Sequence, residues 1–187
     1  MSSLRVLIIS LCGVVAIVAG ILWIIKAGTI LVFGYQPPIV FEVAQLFFAF
    51  GVIGLYLYHE PICSWIGKIG FYIVWLALGA RLIAIGYELW PGFVPPNDEQ
   101  FIFPYSLFVL LSGVGPFVGL ILVGLDIFRA KAMRAPWHIS PLGIGVLPIP
   151  MAIFGVVHLE LPIFMIGLTW IALGVIILRR TDLSVGM

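Results

Sequence analysis

Long apolar stretches, each of a length that crosses a bilayer, dominate this chain and leave it few alternatives. Between Val6 and Ile25 no side chain carries a charge. A hydrocarbon core about 30 Å thick needs about 20 apolar residues in a helix, because each residue adds 1.5 Å. Stretches of this kind fall near 4–25, 41–59, 66–88, 102–127, 138–158 and 161–178. The expectation is an all-α polytopic integral membrane protein with about six transmembrane helices, forming one domain over residues 1–187. Composition closes off the soluble alternative: 63% of residues are hydrophobic and 9% charged, with a mean hydropathy of +1.26. Soluble domains average about 45–50% apolar and about 25% charged.

The first stretch has the charged start of a signal peptide, but it runs on through Ile21, Leu22 and Trp23 with no small-residue cleavage site. Leu11 precedes Cys12, where a lipoprotein signal has a small residue. It reads as a retained span. The two cysteines, Cys12 in that span and Cys63 in a loop, make no disulfide framework.

Lysine and arginine set the orientation. An even number of spans places Arg5, Lys68, Arg129, Lys131, Arg134, Arg179 and Arg180 on one side and only Lys26 on the other. The positive-inside rule then puts both termini in the cytoplasm of a plasma or inner membrane. Trp65 and Trp137 fall at the inner interface and Trp23 and Trp90 at the outer one, as an aromatic belt requires. With a net charge of +1 and no basic arm, nucleic acid is not a partner. The expected partners are the lipid bilayer and other membrane subunits or a second copy.

The two halves echo one another. Trp75-Leu76-Ala77-Leu78-Gly79 is matched by Trp170-Ile171-Ala172-Leu173-Gly174, and Phe50-Gly51-Val52-Ile53 by Phe154-Gly155-Val156-Val157. Since three spans is an odd number, such halves lie in opposite orientation, which is the 3+3 inverted repeat of many transporters. A Leu/Ile/Gly-rich alphabet also produces echoes by chance.

Arg81 is the most informative single position. It lies within the third span, roughly 10 Å below the outer boundary at 1.5 Å per residue, where a charge faces the protein interior. The antiparallel second span brings Glu42 and Gln45 to similar depth, and Glu88 follows Arg81 on the same helical face. A polar cluster of Arg81, Glu42, Gln45 and Glu88 is therefore expected. It serves either as a structural ion pair, the favoured reading, or as a binding site for an anionic group.

Gly113, Gly115 and Pro116 are expected to interrupt the fourth span near the midplane, and Pro148 and Pro150 the fifth. Broken helices line transporter sites, although such prolines more often only kink a packed helix. Gly115, Gly119 and Gly124 offer a small-residue face for internal packing or an oligomer. Asp126 is expected to pair with Arg129 at the interface. The scattered His59, His138 and His158 have no ligand spacing, so no metal, no cofactor and no catalytic residue is assigned.

These features favour a small non-enzymatic membrane protein, a structural or accessory subunit. The alternatives are a small transporter or binding protein built around Arg81, and a membrane enzyme acting on a lipid or isoprenoid beside Glu42 or Glu88.

Overall fold

In a bilayer every backbone N–H and C=O needs a partner within the protein, and a helix supplies one inside its own segment. A computed structural model describes residues 3–34, 38–94, 101–131, 140–146 and 160–185, and the regular structure among them is helical, with no strand. We number the helices α1 (Ser3–Phe33), α2 (Pro38–His59), α3 (Trp65–Glu88), α4 (Tyr105–Arg129), α5 (Ser140–Val146) and α6 (Glu160–Val185). Four of them, α1 to α4, are long and apolar enough to cross a membrane, and the apolar stretch of α6 runs Ile163–Arg179. The expected fifth span is described only as α5. Trp137, His138, Pro148, Pro150 and His158 lie outside the described residues.

Helix ends follow local chemistry. The first helix continues past Ile25 to Phe33 and stops at Gly34, whose φ of +64° and N–H bond to the Ile30 carbonyl form a left-handed cap. Lys26, expected in a loop, is consequently inside α1 and 5% exposed, with its ammonium 5.2 Å from the Trp23 ring centre. A short 3-10 turn, Glu60–Ile62, ends α2 with Pro61 in it, and Ser64 caps α3 by accepting from the Ile66 N–H at 3.3 Å.

On α1 small residues line much of the buried side and large ones the lipid face. Leu7, Leu11, Val14, Val18, Ile21 and Ile25 form an exposed stripe, while Cys12, Ala16 and Ala19 are buried. Lipid tails are as apolar as leucine, so burial of large side chains does not drive these helices together; close backbone packing does. Helix α1 packs on α2 and α6, and α4 packs on α3 and α5. A Cβ on Gly20 would stand 2.5 Å from the Gly167 carbonyl oxygen, and one on Gly70 would stand 2.7 Å from that of Gly119. The Gly115, Gly119 and Gly124 face is thus used inside the fold, against Ala77, Val74 and Leu142. Trp170, Phe71, Leu55 and Leu120 fill the centre, with the Phe48 ring edge-on to Trp170 at 4.2 Å.

The chain reverses at each turn, so Arg5, His59, Cys63 and Asp126 gather at one end of the bundle. Arg5 ties α1 to the α2 terminus there, donating to the Leu57 carbonyl at 2.6 Å and to Glu60 at 2.8 Å.

Candidate functional site

Polar side chains inside this apolar bundle concentrate at two levels. The first surrounds Arg81. Its guanidinium donates to the Glu88 carboxylate at 3.1 and 3.5 Å, seven positions along the same helix. Glu88 also accepts from the Tyr105 hydroxyl at 3.0 Å, which fastens α3 to the start of α4. Tyr87, Phe93 and Tyr105 pack their rings around this bond, the last two 4.9 Å apart. Gln45 does not hydrogen-bond Arg81 among the interactions observed, but both line the same cavity. Glu42 lies in α2, and its side chain is outside the described residues.

That cavity has a volume of about 200 Å³ and lies between α1, α2, α3, α4 and α6. Gln45, Arg81 and Ser112 contribute its polar atoms, and Trp23, Phe48, Phe117 and Trp170 its aromatic wall. The indole Nε1 of Trp170 is buried and has no hydrogen-bond partner among the described residues. Gly113 and Pro116 also line the space. They do not interrupt α4, which is continuous from Tyr105 to Arg129 with Pro116 inside it. The ladder absorbs the proline because the surrounding turns still pair. What Pro116 removes is the N–H that the Ser112 carbonyl would otherwise accept, and Ser112 borders the cavity.

The second level lies at the opposite end. Asp126 is not an interfacial partner of the kind expected with Arg129; it is 3% exposed and turned into the bundle. Its Oδ2 accepts from the Ser64 N–H at 3.0 Å and lies 2.7 Å from His59 Nε2, while its Oδ1 takes the Ser64 hydroxyl. A carboxylate only accepts, so the proton of the His59 bond sits on Nε2. His59 is completely buried, and its Nδ1 has no partner among the described residues. Cys63 completes the group: ligand atoms of His59, Cys63 and Asp126 lie within 4.8 Å of one another. Burial, and then the neighbouring Asp126 carboxylate, push the Cys63 thiol up to about 11. Gly67 leaves room for the group, since a Cβ there would collide with Asp126 Oδ2 and come within 2.7 Å of Cys63 Sγ.

The sequence held a signal for this second group that spacing rules do not read. His59, Cys63, Ser64 and Asp126 all fall at span ends on the side of the bundle that carries Arg5, and Gly67 sits in the first turn of α3. A search for ligands spaced along one helix passes over a set divided between an α2 terminus, a turn and an α4 terminus. No protein-family model, curated protein or solved structure matches the chain.

Proposed function

We propose that this is a small membrane binding protein that holds a ring-sized amphipathic molecule between α1, α2, α3, α4 and α6. The observation that carries the reading is the cavity of about 200 Å³ bordered by Gln45, Arg81 and Ser112. An apolar cavity of about 150 Å³ accommodates a benzene-sized molecule. The space therefore suits one aromatic ring or a short branched alkyl chain. The polar side offers donors, from Arg81 and the Trp170 indole, to an oxygen on the ligand. Glu88 already balances the Arg81 charge, so a carbonyl or weakly acidic group fits better than a strong anion.

The proposal includes six crossings, both termini in the cytoplasm of a plasma or inner membrane, and an inverted repeat. Helix packing supports the repeat. Exchanging the halves turns the α1 contacts with α2 and α6 into the α4 contacts with α5 and α3, which are the extensive packings of this bundle. Each of the two largest packings includes a close glycine approach, Gly20 with Gly167 and Gly70 with Gly119.

A second reading, a structural or accessory subunit, is favoured by the Arg81–Glu88–Tyr105 bonds, which use the intramembrane charge to join helices. Native mass spectrometry of the gently extracted protein separates the two. The binding reading expects a retained small molecule, lost in Gly113→Phe, where a side chain enters space with no atom within 4 Å of the new Cβ. A stoichiometric protein partner and no small molecule, in wild type and variant alike, sinks the binding reading and supports the accessory one.

A further inference from the structure

The buried group at the Arg5 end of the bundle has the composition of a metal site, and it stands apart from the cavity. We propose that His59, Cys63 and Asp126 bind one zinc-like divalent cation, holding the α2–α3 turn to the end of α4.

The three residues supply imidazole, thiolate and carboxylate, the ligand types of zinc. Their ligand atoms already lie within 4.8 Å of one another, so a cation at about 2.0–2.3 Å from each needs only small side-chain movement. The cation enters on the side of His59 Nε2, which already faces Asp126 Oδ2 at 2.7 Å; it takes the place of that hydrogen bond, and the proton of the ring then sits on Nδ1. A structural pair alone does not need the neighbouring thiol.

Charge balance agrees. The imidazole enters neutral and Asp126 as the carboxylate, so only the Cys63 thiol gives up a proton. Thiolate and carboxylate together neutralise the divalent charge, and the cluster becomes neutral in a place where a net charge is expensive. Ser64 stays hydrogen-bonded to Asp126 and orients it, as outer partners of metal ligands do. With three protein ligands, the fourth position of a tetrahedral ion is left for water or for a further group.

The test uses full-length protein in detergent, stripped with chelator and dialysed against zinc or cobalt(II). One zinc per chain is expected, with one proton released per ion. Cobalt should give tetrahedral visible bands and a thiolate-to-metal charge-transfer band. Cys63→Ser should abolish the charge-transfer band and weaken zinc binding by at least about tenfold, while Cys12→Ser, packed against Gly54 and outside the ligand group, keeps both. His59→Gln should also weaken binding; if that variant does not fold, Cys63→Ser, at a half-buried turn position, carries the test. No zinc or cobalt above the detergent blank overturns the proposal, and so does a cobalt spectrum unchanged by Cys63→Ser.

Discussion

His59 Nε2 lies 2.7 Å from Asp126 Oδ2, joining the last residue of α2 to the last turn of α4 across a fully buried contact. Neither residue is expensive in this place while the other is present. Removing one strands the other. Asp126→Leu leaves the His59 ring, the Ser64 hydroxyl and the Ser64 N–H without their acceptor, and should destabilise the protein by about 3 kcal/mol. Asp126→Asn keeps one oxygen acceptor and should cost about 1–2 kcal/mol. Thermal unfolding in detergent, with chelator present, ranks the two; equal midpoints would mean that the contact contributes little.

Gly67 separates packing from chemistry. Gly67→Ala places a methyl group against Asp126 Oδ2 and Cys63 Sγ and should spread the cluster, whereas Gly79→Ala meets no atom within 4 Å. The first should lower the unfolding midpoint, with a penalty of about 1–3 kcal/mol for overpacking. The second should be neutral or slightly stabilising, because alanine favours the helix by up to about 1 kcal/mol. Cobalt binding should weaken in Gly67→Ala alone. An unchanged midpoint and spectrum in Gly67→Ala would show that the α3–Asp126 approach is looser than the described geometry.

Much of the frame was legible because it depends on one-dimensional quantities. The length of each apolar run and the prolines near its ends place α2, α3 and α4 to within about three residues. The end of α1 was misjudged because Lys26 reads as a loop residue, and only the packing of Trp23 and the cap at Gly34 reveal that the helix goes on. The pair Arg81–Glu88 could be read from the helical repeat, since both residues lie on one helix. The His59–Cys63–Asp126 group could not: its members are brought together by how α2 and α4 finish, and Asp126 has a nearer basic residue, Arg129, that sequence proximity prefers. The cavity was equally hidden, because its walls come from five helices and its volume from how they fail to fill the space around Pro116.

Cys63 should be a slow nucleophile in the metal-stripped protein. The thiolate reacts and the thiol does not. With the thiol pushed up to about 11 from an ordinary value of 9.0, its thiolate fraction at pH 8 is about a hundredfold lower than that of an unperturbed cysteine. Maleimide labelling of a Cys12→Ser protein should therefore be slow at pH 8 and accelerate about tenfold per pH unit up to pH 11. Asp126→Asn removes one cause of the shift and should bring faster labelling at pH 8. Rapid labelling of the parent protein at pH 7 would contradict the burial and the carboxylate contact together.

Arg81 distinguishes a lock from a site. Its side chain is 11% exposed and that of Glu88 28%, so the pair is partly screened and each partner is supported by the other. Arg81→Met alone leaves Glu88 with only the Tyr105 hydroxyl and should cost about 2 kcal/mol in unfolding free energy. Arg81→Met with Glu88→Met removes both charges and should recover at least half of that loss, because a well-packed apolar pair often replaces a buried ion pair at little cost. If the pair is only a lock, the double variant is stable and retains every property of the parent. If Arg81 also donates to a molecule in the cavity, the double variant is stable but no longer retains that molecule in native mass spectrometry. Stability recovered without binding is the combination that assigns Arg81 to the ligand, since fold and ligand are then lost by different substitutions.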